Sequence, residues 1–362
     1  MKLLLVNSAA PELWGGGEKW FVEAAKWFTE EGHHVMVCAR SDSRFETAAR
    51  GAGLNTVSTP FGGDFDPFAV ARAHKILKQV KPQCVLTNFN KEAWHFGLAR
   101  DKMDTRLIAR HGFPLWSDKL HHKLVAKLLD RLIVNAETIR DRYLALGIND
   151  KKLSVIHNGV SQVSQRFGEM RKRLKLADST FLAVAAGRLE EQKRFDLLLQ
   201  AWRFADSHDA DAHLAIFGRG PQEEALKSLT REMNLESSVT FAGFDSDFAS
   251  LVGDADLFVL TSENEGTPNA VLEAMSAGVP VLGFDVGAMK TLLRGSLSDF
   301  LIRAGDAQAL NERLSYWISN REKLRSHRAE FAVRAKSEFS FDVSMRRYVE
   351  VFQAVVEQSA RA

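Results

Sequence analysis

Three short stretches of this chain hold residue types that could handle a charged, hydroxyl-rich ligand. The richest reads Ser262-Glu263-Asn264-Glu265-Gly266-Thr267-Pro268-Asn269-Ala270-Val271-Leu272-Glu273-Ala274-Met275. It follows an apolar strand-like run and opens a helix-like one. Pro268 suits the first position of a helix, and Gly266 lets the backbone come close to a ligand. A helix beginning there would present N–H groups to a phosphate. Glu265 in the turn and Glu273 further along the helix can border one pocket. A carboxylate accepts two hydroxyl hydrogen bonds at once, which suits a sugar ring or a ribose. Taken alone, both glutamates read equally well as caps and dipole partners.

The second stretch is Gly187-Arg188-Leu189-Glu190-Glu191-Gln192-Lys193, directly after another apolar run. Arg188 and Lys193 at a strand's carboxyl end can hold a diphosphate and neutralise it as it leaves. A solvated turn with Glu190 and Glu191 as partners is the alternative. The third stretch is Gly15-Gly16-Gly17-Glu18, a glycine triplet at a strand-to-helix turn. The dinucleotide fingerprint G-x-G-x-x-G is absent, since residues 15–20 read G-G-G-E-K-W, and a nicotinamide role is demoted.

The elements that must position these residues follow one grammar. A short apolar strand, Lys2–Asn7, leads through the Gly15–Gly17 turn into a helical pattern over 18–31, then a strand at His34–Cys38. Further strands are expected at 83–87, 106–109, 132–135 and 153–156, with helices over 68–79 and 118–130. A polar run, Ser161–Ser179, reads as a linker. Strands at 181–186, 213–217, 238–241, 257–260 and 279–284 then alternate with helices, and the chain is helical from Ala307. Apolar strands alternating with amphipathic helices predict parallel sheets covered on both faces. The fold class expected is α/β, with two Rossmann-like domains and a site in the cleft their strand ends face.

Bulk properties agree. The 362 residues suit two cores, and 45% hydrophobic with 26% charged residues is globular in character. A net charge of +2 gives no global pull toward nucleic acid. Cys38 and Cys84 lie in apolar runs and predict reduced core thiols in a cytoplasmic protein. The opening MKLLLVN is too short for a signal segment, and no stretch reaches a membrane span.

Together and in this order, the motifs resemble the retaining glycosyltransferases of family 4, which have the two-domain GT-B fold. The match includes Gly15-Gly16-Gly17-Glu18, His157-Asn158-Gly159-Val160, Ala186-Gly187-Arg188-Leu189, Phe217-Gly218-Arg219-Gly220-Pro221 and Phe241-Ala242-Gly243. It continues through the Glu265-x7-Glu273 spacing to Ala277-Gly278-Val279-Pro280-Val281 and Asp285-Val286-Gly287. The family often carries Gly-Gly and a glutamate near 287–291, where this chain reads Gly287-Ala288-Met289-Lys290-Thr291.

The resemblance implies roles residue by residue. Arg188 and Lys193 would bind the donor diphosphate, Glu273 the ribose and Glu265 the transferred sugar. Gly187, Gly218 and the backbone of Gly266, Thr267, Pro268 and Asn269 would line the donor site. Gly16 and Gly17 would approach the donor phosphates, His111 would sit near the donor sugar, and Trp14 and Glu18 would reach the acceptor. Residues 1–162 would form the acceptor-side domain and 163–342 the nucleotide-sugar domain, with a helix over 343–362 packing back on the first. The activity implied is metal-independent transfer of a hexose-type sugar from an NDP-sugar, UDP by default, to a cell-surface glycan or glycolipid hydroxyl. No cofactor is expected. A nucleotide-sugar epimerase and a catalytically idle GT-B binding domain are the competing readings.

Other signals are weaker. Asp64-Phe65-Asp66 and Asp254-Ala255-Asp256 both spell D-x-D, a metal motif of another glycosyltransferase fold, and both read here as structural. Trp14, Trp20 and Trp27 read as core or cleft-lining. Lys119, Lys123, Lys127 and Arg131 recur every four residues beside Leu120, Leu124, Leu128 and Leu132. This predicts a helix with a basic face, either merely solvated or touching an anionic membrane surface.

Overall fold

The computed structural model describes residues 1–101, 103–112, 119–206 and 211–360. They divide into two compact units, one formed by Met1–Ile156 with the helical residues from Met345 on, the other by His157–Ser344.

The first unit is built on seven strands: β1 (Lys2–Asn7), β2 (His34–Arg40), β3 (Thr56–Thr59), β4 (Cys84–Thr87), β5 (Arg106–His111), β6 (Arg131–Val134) and β7 (Leu153–Val155). Their order is β3-β2-β1-β4-β5-β6-β7, and every pairing is parallel. β1 and β4 are buried along nearly their whole length because helices cover both faces, which is why they read as unbroken apolar runs. The terminal helix Phe341–Ala360 closes this core. Tyr348 meets the Trp20 ring at 5.1 Å, and Phe352 meets Phe28 at 5.6 Å. Cys38 and Cys84 are unpaired and buried, and burial raises both thiols far above neutrality.

The second unit holds β8 (Phe181–Ala186), β9 (Ala212–Phe217), β10 (Val239–Gly243), β11 (Leu257–Leu260), β12 (Val281–Phe284) and β13 (Leu301–Ile302). Their order is β10-β9-β8-β11-β12-β13, again all parallel. Both sheets thus share the doubly wound order in which the strand sequence reverses at one internal pair, β1/β4 in the first and β8/β11 in the second.

The segment His157–Val160 belongs to the second unit, ahead of the polar run that reads as the linker. Its backbone is committed there: Val160 N–H donates to Phe339 O at 2.9 Å, and Ser344 Oγ donates to His157 O at 2.9 Å. A Cβ on Gly159 would lie 2.5 Å from Phe341 Cα, so only glycine admits this contact.

The basic helix runs over Lys119–Leu128. Arg131 does not share its face, because Arg131 and Leu132 start β6 and the four-residue period breaks at Leu128. Lys152 caps the helix end, its Nζ donating to Ala126 O at 3.2 Å and Leu129 O at 2.7 Å. Lys123 and Lys127 are exposed. Residues 115–118 and the Lys119 and Leu120 side chains lie outside the described set.

Asp254 and Asp256 work as internal braces. Asp254 accepts the N–H groups of Gly168 (2.6 Å), Met170 (2.9 Å) and Arg171 (3.3 Å), capping the helix Glu169–Leu174 from a distant part of the chain. Asp256 takes Leu182 N–H at 2.9 Å and Arg171 Nη2 at 2.8 Å. Asp254→Ala strands three backbone donors and should cost about 2–3 kcal/mol of stability in denaturant melts, with Asp254→Asn losing less.

Candidate functional site

The carboxyl ends of β8 and β11 bring the two charged sequence stretches together. Lys193 Nζ bonds Glu265 Oε1 at 2.5 Å, and Ser262 Oγ donates to the same oxygen at 2.7 Å. Both charged side chains are mostly covered, at 17% and 12% exposure. The loops are stitched again by Thr261 Oγ1 to Lys193 O (3.0 Å) and by Glu263 N–H to Gln192 O (2.8 Å). Lys193 has three donors and uses one on Glu265, so it can meet a phosphate while keeping that bond.

Arg194 fixes the far side of the same turn. It adopts a left-handed φ of +48°, a conformation costly for a residue with Cβ. Its guanidinium reaches Asp196 at 3.0 Å and Glu263 at 2.5 Å, and those two bonds raise its pKa. A cavity of about 590 Å³ adjoins it, lined by Glu190, Glu191, Asp196 and Glu263. Carboxylates dominate that lining, which makes it a poor place for a diphosphate. Arg188, by contrast, is 77% exposed and, among the described residues, pairs with Glu190 alone, at 2.6 Å. An exposed pair of this kind is worth little, so the guanidinium can swing to another anion at small cost.

Close backbone contacts explain several glycines. Gly218 has φ +141°, and a Cβ there would fall 1.8 Å from Gly187 O. Gly287 has φ +57°, and its Cβ would fall 2.2 Å from Gly266 O. Ala288 N–H donates to that same carbonyl at 2.9 Å. Asn158 completes the enclosure, its Nδ2 donating to Asn269 Oδ1 at 2.8 Å and Thr267 O at 3.3 Å. The helix that follows is Asn269–Ser276, so Pro268 stands at its cap, one residue before the first helical position. Thr267 is buried, Asn269 is exposed and Glu273 is half-buried on that helix.

In the first unit the corresponding reversal lies between β1 and β4. The helix Gly16–Glu30 begins within the glycine triplet, and a Cβ on Gly17 would come 3.7 Å from Asn88 Nδ2 in the loop after β4. Glu18 is buried and accepts Gly15 N–H at 3.0 Å, so it serves as a cap of this helix. Trp14 is half-buried, whereas Trp20 is a core residue under the Arg110 guanidinium, 4.1 Å from its ring centre. His111 ends β5 with Nδ1 against the Tyr143 hydroxyl at 2.5 Å. Burial, with His122 and Arg110 adding to it, lowers its pKa to about 3. The ring is therefore neutral at pH 7 and suits hydrogen bonding more than acid catalysis.

Comparison with known proteins agrees with this architecture. Residues 14–162 match the family Glycosyltransferase Family 4, and residues 167–336 match Glycosyl transferases group 1. The structure of Anabaena HepE in complex with UDP superposes with a TM-score of 0.86 at 19% identity, covering 98% of this chain and 100% of that one. The chain has the GT-B fold, with a glycosyltransferase-family domain in each half. An Escherichia coli UDP-Gal:alpha-D-GlcNAc-diphosphoundecaprenol alpha-1,3-galactosyltransferase is 28% identical over 258 residues, 64% of this chain and 65% of that protein. The amylovoran biosynthesis glycosyltransferase AmsK of Erwinia amylovora is 28% identical over 180 residues, 47% and 42% of the two chains. Matches to the first curated relatives span only 24–44% of their own length.

Within this GT-B frame, several positioning residues had no sequence signal of their own. Arg194, Ser262 and Asn158 are among them, and so is Glu92. Glu92 is wholly buried and accepts N–H groups from Ser8, after β1, and from Asn88 (2.7 Å) and Phe89 (3.0 Å), after β4. Its place three residues into the helix Asn90–Ala99 is the one hint.

Two predictions follow from these braces. Burial raises the Glu92 pKa to about 7, against the opposing pull of its three N–H donors. The native state then holds a proton that the unfolded chain releases above about pH 4.5, so this group's contribution falls as pH rises from 4.5 to 7. Stability measured across that window should decline relative to Glu92→Gln, by about 3 kcal/mol at most. Arg194→Gly relieves the left-handed backbone but removes the clamp on Glu263; it should speed amide hydrogen exchange at Glu263, whose N–H bonds Gln192 O, while the chain stays folded.

Proposed function

We propose that this chain is a retaining, metal-independent glycosyltransferase that moves a hexose-type sugar from an NDP-sugar, UDP by default, to a hydroxyl of a cell-surface glycan or lipid-linked acceptor. The observation that carries the reading is the Lys193–Glu265 bond at the β8/β11 crevice, with the exposed Arg188 on the same loop as Lys193. Ligands of doubly wound sheets bind outside the strand ends where the order reverses. Lys193 and Arg188 supply the positive charge that a departing diphosphate needs. Glu265, anchored through Oε1, directs Oε2 to sugar hydroxyls, while Glu273 faces the ribose and the Gly266–Asn269 backbone the distal phosphate. By the family resemblance Gly16, Gly17 and His111 are donor-binding residues as well; Gly16 and Gly17 open the helix after β1, and neutral His111, which ends β5, would offer one hydrogen bond.

In the reaction, the bond from the anomeric carbon to the diphosphate breaks as the acceptor oxygen bonds the same carbon from the same face. The acceptor proton passes to the leaving phosphate oxygen. The protein's part is positioning and charge stabilisation, and no carboxylate nucleophile is needed. One relative is named for a diphosphoundecaprenol-linked sugar acceptor and others for colanic acid or amylovoran biosynthesis, which supports a lipid-linked or polymeric glycan as acceptor here. No described helix is long and apolar enough to cross a membrane; exposed Lys123 and Lys127 would meet anionic headgroups.

A panel of UDP-, GDP- and ADP-sugars, read by released nucleoside diphosphate with and without glycan acceptors, tests the reading. Release that needs no acceptor and yields an epimer would defeat it. Lys193→Ala should lower turnover by about 10²–10³-fold with an unchanged circular dichroism spectrum, and unaltered turnover would remove Lys193 from the site.

A further inference from the structure

The Asp64-Phe65-Asp66 motif finds no use in the donor site, yet the fold invests heavily in holding it. It lies in the loop from β3 to the helix Pro67–Val80, which runs back over the carboxyl ends of its neighbours. Arg40, at the end of β2, donates Nη1 to Phe61 O at 2.8 Å and Nε to Ser8 O and Ala9 O, both at 3.1 Å. His95, in the helix after β4, binds Gly63 O through Nε2 at 3.0 Å. Asp66 caps the helix through Phe68 N–H at 2.8 Å and pairs with Arg72 at 3.1 Å. Gly62 is pressed so closely on Asp66 that a Cβ would lie 2.1 Å from its carboxylate oxygen.

On this pinned loop Phe65 is 71% exposed, its ring edge-on to Trp94 with centroids 5.4 Å apart. Aromatic faces held this way bind a partner with an apolar face and polar edges. We propose that Phe65 and Trp94 form a stacking subsite for a pyranose ring of the acceptor, with Asp64 accepting its hydroxyl hydrogens. This rests on the glycosyltransferase reading above and adds the acceptor's place to it. The flanking carboxylates decide between occupants. Asp66 is paired with Arg72, so Asp64, the residue before Phe65, is the acidic group that suits a polyhydroxylated ring better than an anionic membrane surface. A divalent metal is disfavoured because Asp66 is already committed to Arg72 and the helix cap.

The test uses the full chain labelled with 5-fluorotryptophan, the Trp94 resonance being assigned with Trp94→Phe. Methyl glucoside, galactoside, mannoside and N-acetylglucosaminide are titrated to about 50 mM, above the millimolar Kd that one stacked ring supports. At least one should shift the Trp94 line saturably. Phe65→Ala should weaken that response at least tenfold, Phe65→Tyr should keep it, and a UDP titration should be the same in all three proteins. No shift with any pyranoside overturns the subsite, and so does a Trp94 shift seen only with phosphatidylglycerol vesicles. A pyranoside response from a protein that turns over no nucleotide sugar leaves the subsite standing and sinks the transferase reading alone.

Discussion

Lys193 and Glu265 belong to loops 72 residues apart in sequence, and the bond between them determines where most of the second unit's functional groups can stand. It holds the β8 loop against the β11 loop, and Thr261, Ser262 and Arg194 each reinforce the same junction. Covering both partners makes the bond stiff, and pairing them leaves the crevice near neutral instead of strongly charged. A buried pair of this kind adds little stability over apolar packing, but it fixes a geometry. The strained arginine beside it fits that interpretation: the backbone cost is set against ion pairs to two carboxylates, Asp196 and Glu263, that do nothing for the core.

A second constraint is the distance between backbones. Gly187 and Gly218 touch main chain to main chain, as do Gly266 and Gly287, so the loops crowding this end of the sheet have no room for side chains. Their conformations are set largely by carbonyls and N–H groups. That explains how a run reading Gly287-Ala288-Met289, without the glutamate the family often has, can still hold the turn: Ala288 supplies a backbone N–H to Gly266 O.

How much of this was legible depended on the kind of signal. Strands buried on both faces, such as β1, β8 and β11, announce themselves as apolar runs, and their alternation with helices was enough for the fold class. β3 was not legible, because Thr-Val-Ser-Thr at a sheet edge carries no apolar run, and β13 is only two residues long. The charged residues Arg188, Lys193, Glu265 and Glu273 stood out only as a set, through the family resemblance, because each alone reads equally well as a helix cap or a solvated turn. Their supports did not stand out. Arg194 reads as one more charge in a polar run, since a left-handed φ leaves no mark on a non-glycine residue, and Asn158 acts on residues more than a hundred positions away. The basic stripe misled for the opposite reason: its four-residue period crosses a helix end and a strand start without a break in sequence.

The first unit is written in two pieces, its sheet ahead of the second unit in sequence and its closing helix after it. During synthesis the sheet leaves the ribosome before the second unit, and Trp20 and Phe28 lack the Tyr348 and Phe352 rings that cover them until the helix Phe341–Ala360 has emerged. The second unit has no such gap and can finish folding before the first. The first unit's sheet therefore waits through the synthesis of the whole second unit with its hydrophobic surface incomplete, a longer exposure than either sheet would have with its helices contiguous in sequence.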